Sequence, residues 1–521
     1  MASATPLATP HDKVLRRKLC LMMFLQIFIW GAWFELGFDY IPSLGFAGWQ
    51  NAMIFGAFNI GALVALFFST QFADRKFAAE KFLGISHVIG GAAILGLFFI
   101  PGELGTNPGQ HITVKVTKPG EKSGTAIGEL ADKTPVVVEG VEAKWDEIGT
   151  DQSKMPTVVT VVTDVKETQT GRTIYAKVST GAPFWPFFLL MLLHCVFYVP
   201  TISITNSIAF ANLKDPAREF GPVRVWGTIG WIAASWPFIF ILVDWSAVPT
   251  MSEAGGFVNW IGKALGTSKT GAEAYAAERY IFVVAGIASF VLAAISPMLP
   301  HTPPKPATGG DSLAWVKAAR LLKHPFVAVL FLVTFIDAAV HQSFFYWTAS
   351  FLKTEVGIPA NWVTPVMKIG QIAEILTMMI LGYVLKTLGW RTTMIFGVLG
   401  HAARFAVFAF YPEPWAAVAV NVLHGICYAF FFATVYIFVD EFFPKDTRSS
   451  AQGLFNAIII GVGPFVANLV CGQLGESYKV GDKLNYSAIF QYSMAAALVG
   501  AIILALFFHP PKNNLEQPPP A

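Results

Sequence analysis

Charge is what this chain has little of. Only 13% of its 521 residues are Asp, Glu, Lys or Arg, about half the share found in a soluble domain. Cysteine is equally scarce. Cys20, Cys195, Cys427 and Cys471 all fall in apolar runs and read as small packing residues, so neither a disulfide framework nor a thiolate metal site is expected. The net charge of +3 is spread over loops, which argues against a nucleic-acid partner. No cleavable leader is expected: "KVLRRKLCLMMFLQIFIWGAWF" starts basic, but its apolar run is too long and lacks a small-residue cleavage pattern. What fills the chain instead is apolar residues, 54% of the total, 46 of them Phe, with mean hydropathy +0.55. This is the composition of an integral membrane protein.

At about 20 apolar residues per crossing, twelve spans are expected in an all-α membrane protein. They lie at roughly 18–41, 49–71, 82–101, 184–212, 219–243 and 279–299, and at 326–353, 361–386, 391–411, 414–440, 449–474 and 486–509. The Pro/Gly-rich stretch "HTPPKPATGGDSLAWVKAARLLKH" ends in a short amphipathic helix and separates two sets of six. The organisation is therefore an N-terminal half (1–300), a cytoplasmic linker (301–325) and a C-terminal half (326–521). Lys and Arg crowd the segment before the first span and the turns after the second and sixth, while Pro42 to Gly48 and Pro412 to Pro414 have none. Both termini are thus expected in the cytoplasm of a multi-pass protein of the bacterial inner membrane. Residues 103–182 break the pattern. Alternating runs such as "HITVKVT" and "RTIYAKVST", separated by "KPGEKSG" and "TQTGRT", predict a small periplasmic β insert with antiparallel strands between the third and fourth spans. It shows no catalytic set or metal spacing and reads as a cap or as a module for an unidentified partner.

Ionisable groups inside spans are candidates for function, because a charge in hydrocarbon costs between about 2.5 and 17 kcal/mol. Arg224, Thr228 and Trp231 stand at i, i+4 and i+7 in "GPVRVWGTIGWI" and share one helix face. Arg224 must reach a water-filled cavity, a partner or the headgroups. In "MKIGQIAEILTMM", Gln371 and Glu374 lie one turn apart near mid-depth, with Lys368 nearer the outer side. A buried carboxylate has to be paired or protonated, as a proton carrier requires. Asp337 and His341 are at i, i+4 with Gln342 beside them; they suit a proton relay, a polar solute site or a structural pair. His424 and Tyr428 share a face of the tenth span, and Gln26, Trp30 and Trp33 lie in the first, with Glu35 and Asp39 toward its outer end. Aromatic faces beside amides suit a planar ring or a sugar face. His87, His194 and His401 read as isolated packing histidines and Arg404 as a structural partner. The Asp74-Arg75 dipeptide, in the turn after the second span, reads as a gating latch. No metal or cofactor site is expected, and no span presents a catalytic set, so an enzyme is not expected.

"LQIFIWGAW", "HCVFYVPTISITNSIAFAN", "GPVRVWGTIGWI", "IGQIAEILTM" and "TRSSAQGLFN" together resemble the bacterial nucleoside:proton symporters of the major facilitator superfamily. The likeness follows nearly all twelve spans in order and skips the insert. It implies the major facilitator fold, with six helices in each half around a midplane site. It also implies proton-coupled uptake of a small neutral polar solute, a nucleoside, by alternating access. By resemblance, Arg224, Thr228, Trp231, Gln342, Gln371, Glu374 and Tyr428 line the solute site, and Glu374 contacts the substrate. The residues themselves add Trp30 and Gln26 to the site, and Glu374, Asp337 and His341 as proton-coupling groups. The chain departs from the family pattern at three places. Phe345 replaces an asparagine, Ala429 an aspartate and His424 a tyrosine. Polar groups lost from a hydrogen-bonding site change specificity sharply, so a sugar or glycoside symporter and a solute sensor with this fold stay open as alternatives.

Overall fold

The computed structural model describes residues 10–68, 77–100, 183–304, 321–443, 445–480 and 483–510, together with five strands between 112 and 179. Three helices open the chain: α1 (Pro10–Ser43), α2 (Gly48–Phe68) and α3 (Ala79–Phe99). The strands β1 (Ile112–Pro119), β2 (Thr125–Glu129), β3 (Pro135–Glu139), β4 (Val159–Thr168) and β5 (Gly171–Ser179) follow. They pair in sequence order and close into a barrel through β1 and β5. One pairing differs from the antiparallel expectation: β3 and β4 run parallel. Parallel neighbours need a crossover rather than a tight hairpin, and residues 140–158 between these two strands lie outside the described residues.

Then come α4 (Phe184–Asn212), α5 (Pro216–Ala233) and α6 (Trp236–Ile241). The expected single span at 219–243 is thus broken. Pro237, in the first turn of α6, has no N–H to continue the ladder, and the chain turns at Ala234 and Ser235. The short helices α7 (Phe257–Gly266) and α8 (Gly271–Glu278) lead into α9 (Ile281–Ile295). The second half has α10 (Pro325–Thr354), α11 (Ala360–Phe410), α12 (Pro414–Phe442), α13 (Ala451–Ser477) and α14 (Tyr486–Phe507). α11 comprises two helices, the eighth and ninth expected spans, that meet at Gly389, whose φ of 74° favours a residue without a Cβ. Among the described residues, nine helices are long and apolar enough to cross a membrane, α11 counted once.

Side-chain exposure shows how such helices sit in lipid. Met379, Phe99, Leu376 and Ile502 project from the bundle with half or more of their surface free. Trp49, Trp185, Trp362 and Trp415 are exposed as well, each within the first three residues of α2, α4, α11 and α12. These four helices all begin at the end of the bundle away from the chain start, so their indoles form one belt. Trp rings collect at membrane-water interfaces in this way. The halves meet where α1 packs on α10, α2 on α13, and α5 and α6 on α11. The candidate site lies along that seam.

Candidate functional site

Close approach of α11 and α12 sets the C-terminal wall. A Cβ on Gly370 would lie 2.7 Å from that of His424, and one on Gly425 would enter the backbone at Ala373 and Glu374. Small residues at such crossings let two helices touch backbone to backbone. Gln371, Glu374, His424 and Tyr428 are thereby brought to one wall. Arg224, Thr228 and Trp231 face them from α5. Arg224, Thr228, Glu374 and Tyr428 are half-buried, while Trp231 and Gln371 are buried. Arg224 interacts electrostatically with Glu374 and with Tyr428, and Glu374 with Tyr428. Gly227 matters locally, because a methyl group there would overlap the Arg224 guanidinium, which folds back over its own helix.

Aromatic rings from both halves close this region on one side. Trp231 meets Trp30 edge-on at 5.1 Å between centroids and Phe345 at 6.4 Å. Trp30 stacks on Phe58 at 4.6 Å, and Phe34 of α1 meets Phe345 of α10 at 5.3 Å. Phe345 stands where an amide was expected from the resemblance. It adds an apolar face in place of a hydrogen-bonding group.

Beyond the aromatic layer the halves are tied by charge. Lys368 of α11 pairs with Glu35 of α1 at 2.8 Å, and its ammonium also sits 4.3 Å from the centre of the Trp231 ring. Lys353 of α10 pairs with Asp39 of α1 and, at 2.9 Å, with Glu278 of α8. Both cations belong to the C-terminal half and all three carboxylates to the N-terminal half. Asn361 and Trp362 of α11 donate to the Leu265 carbonyl of α7, at 3.0 and 2.9 Å, which fastens the same end. Sequence reading placed Lys368, Glu35 and Asp39 near the outer ends of their spans without pairing them. Complementary charge at matching depth on opposite halves was the available signal.

Lys368 and Glu35 are 2% and 0% exposed, so removing one partner strands the other. Lys368→Met alone should destabilise the protein by about 3–5 kcal/mol, whereas Glu35→Gln with Lys368→Met should recover most of that. Thermal unfolding of the purified variants checks this. Equal melting temperatures for the single and double variants would show that the pair is not closed in solution.

Other expected residues are placed differently. The Gln26 amide is fully buried, donates to Thr201 at 2.8 Å and lies 3.0 Å from His87, so it braces α1 against α3 and α4. Gln342 donates to Asn468 at 2.9 Å, and Asn468 to Asn59 of the other half at 3.1 Å. This amide ladder across the seam is a contact that sequence reading missed, since Asn59 and Asn468 sit in unremarkable apolar runs. Asp337 and His341 do not hydrogen-bond to each other. Asp337 lies 3.6 Å from His401, and the His341 ring stacks at 5.0 Å on His424. Trp33 is buried against Phe34 and His194. Asp74 and Arg75 lie outside the described residues. No cluster of His, Cys, Asp and Glu among the described residues is arranged to hold a metal ion.

A polar, aromatic-roofed site on the seam between two helical halves defines a secondary transporter of the major facilitator type. The crystal structure of the nucleoside transporter NupG superposes with a TM-score of 0.67 at 19% identity, covering 95% of this chain and 99% of that one. The structure of a D-xylose-proton symporter gives 0.57 at 12%, covering 96% and 100%. Both share the fold. The Nucleoside H+ symporter family matches residues 14–100, 160–254 and 253–513, and the chain belongs to that family. Among its relatives, YegT of Escherichia coli strain K12, named as a candidate nucleoside transporter, is 26% identical over 96% of this chain and 95% of its own. The xanthosine permease of the same strain is 23% identical over 94% and 95%.

Proposed function

We propose that the protein carries nucleosides inward across the bacterial inner membrane together with protons, by alternating access. One observation carries this reading: in a chain of the nucleoside H+ symporter family, the seam between the halves holds Arg224, Glu374, Gln371 and Tyr428 under an aromatic roof, sealed at one end by Lys368 and Lys353 on three carboxylates. A nucleoside needs both kinds of contact, flat apolar faces for the base and donors and acceptors for the ribose and the base edge. In this reading Arg224, Thr228, Trp231, Trp30, Gln342, Gln371, Glu374 and Tyr428 serve the solute, Gln26 holds the wall behind Trp30, and Glu374, Asp337 and His341 are the proton-coupling groups. The crossings number twelve when α2, the α5 and α6 pair, and the two parts of α11 are each counted. Both termini then lie in the cytoplasm, and the sealed end and the β barrel face the periplasm. The barrel is a cap or a docking module for a further partner.

Uptake of labelled uridine by vesicles reconstituted with the purified protein tests the reading. Accumulation should follow an imposed pH difference, acid outside, and collapse with a protonophore. Uptake indifferent to the pH difference would remove proton coupling, and stronger competition by glycosides than by nucleosides would make the carrier a sugar symporter.

A further inference from the structure

Behind the solute wall, α10, α11 and α12 enclose a run of buried polar groups. Arg404 is 0% exposed and its guanidinium carbon lies 3.8 Å from the centre of the Phe344 ring. It donates from one terminal nitrogen to His424 Nδ1 at 2.9 Å, and from the other to His401 Nδ1 at 3.0 Å. A guanidinium has donors and no acceptor. Both Nδ1 atoms must therefore accept, which puts the ring proton of His401 and of His424 on Nε2. The far end of His401 then points its N–H toward Asp337 Oδ2 at 3.6 Å. The far end of His424 faces the Gln371 amide at 3.3 Å. Since His424 Nε2 carries a proton, the amide atom opposite it has to be the oxygen; the two ends of an amide have the same shape and are assigned by their partners. The NH2 of Gln371 is left at the other end, which is buried and has no hydrogen-bond partner within the protein.

We propose that Arg404 and His424 are positioning residues that fix Gln371 as a hydrogen-bond donor, so that the carrier selects nucleosides presenting a ring carbonyl, as in inosine and uridine, over adenosine, which presents an amino group. The proposal rests on the nucleoside reading above. A donor held in place costs the adenosine amino group a partner and sets two donors face to face. Sites that hydrogen-bond a substrate group discriminate strongly against an analogue lacking it. Asp337 enters only as the carboxyl that the far end of His401 faces, at 3.6 Å.

The experiment measures inosine, uridine and adenosine binding to the full-length purified protein and to three variants. The wild type should bind inosine at least tenfold tighter than adenosine. In His424→Gln the new amide accepts from Arg404 and donates to Gln371, so the ratio should stay within about threefold of wild type. In His424→Glu the carboxylate accepts from both neighbours, Gln371 turns its oxygen outward, and the preference should fall or reverse. Gln371→Leu should abolish the preference with the aromatic contacts retained. A wild type that binds all three equally overturns the proposal and leaves the nucleoside reading standing. An unchanged ratio in both His424→Glu and Gln371→Leu does the same, whereas failure to bind any of the three overturns both. A ligand-free measurement holds even if a variant does not fold. Nitrogen NMR of histidine-labelled wild type should show His424 with its proton on Nε2, and a signal for a proton on Nδ1 would refute the arrangement.

Discussion

Glu374→Gln is expected to bind solute and exchange it, yet fail to concentrate it. In vesicles with a pH difference of one unit, a carrier moving one proton with each nucleoside can sustain about a tenfold gradient, equivalent to about 1.4 kcal/mol. The variant should hold inside and outside concentrations equal, while counterflow of labelled against unlabelled nucleoside proceeds within about threefold of wild type. The argument starts from position. Glu374 is half-buried on α11, opposite Arg224 and within electrostatic reach of it and of Tyr428. A half-buried carboxyl there can take up a proton, and it meets a cation whose pull depends on whether it has done so. Gln keeps the shape and the hydrogen bonds but only one charge state. Symport needs both, because the loaded and empty carriers must return differently. Undiminished accumulation by the variant would remove Glu374 as the coupling group and transfer the role to Asp337 or His341.

Much of the helical framework was legible because hydropathy and helix length report the same constraint. In lipid each backbone group must be paired within its own helix, so a crossing is written as a contiguous apolar run. The places where the reading slipped have local causes. The fifth span divides at Pro237, whose missing N–H acts whatever the hydropathy. The eighth and ninth spans remain two helices, with only Gly389 at positive φ where a loop would be expected. The parallel pairing of β3 and β4 could not be read from alternation, since a strand's face pattern is the same whichever way its neighbour runs.

The site was less legible, for a different reason. Arg224 and Trp231, or Gln371 and Glu374, share a helix face at fixed spacing, and periodicity finds such pairs. Lys368 with Glu35, Gln342 with Asn468 and Asn59, and Arg404 with His401 and His424 are contacts between helices, and nothing in one helix names its partner. Two are clear in hindsight. Lys353 and Lys368 in the second half match Asp39 and Glu35 in the first by sign and depth, and a buried arginine three residues from a histidine has to donate to something. The Asp337 and His341 pair shows the opposite failure. Residues at i and i+4 are neighbours on a helix surface, but here each found a better partner on α11 or α12.

Arg224→Lys is expected to weaken nucleoside binding by tenfold or more while leaving expression and folding normal. Lysine keeps the charge, so an arginine that merely reached the headgroups from a helix end would scarcely register the change. The planar fork of donors is what disappears, and each hydrogen bond to a charged group contributes about 1.5–3 kcal/mol. Loss of one such bond is enough for the tenfold effect. The expectation rests on three features: Arg224 is half-buried, interacts electrostatically with Glu374 and Tyr428 across the seam, and lies folded over Gly227. That last contact gives an independent arm. Gly227→Ala leaves the guanidinium chemically intact but pushes it off its helix, so it should also weaken binding, by less than Arg224→Lys. Wild-type affinity in both variants would place the arginine at the membrane surface and leave Glu374 without its cation.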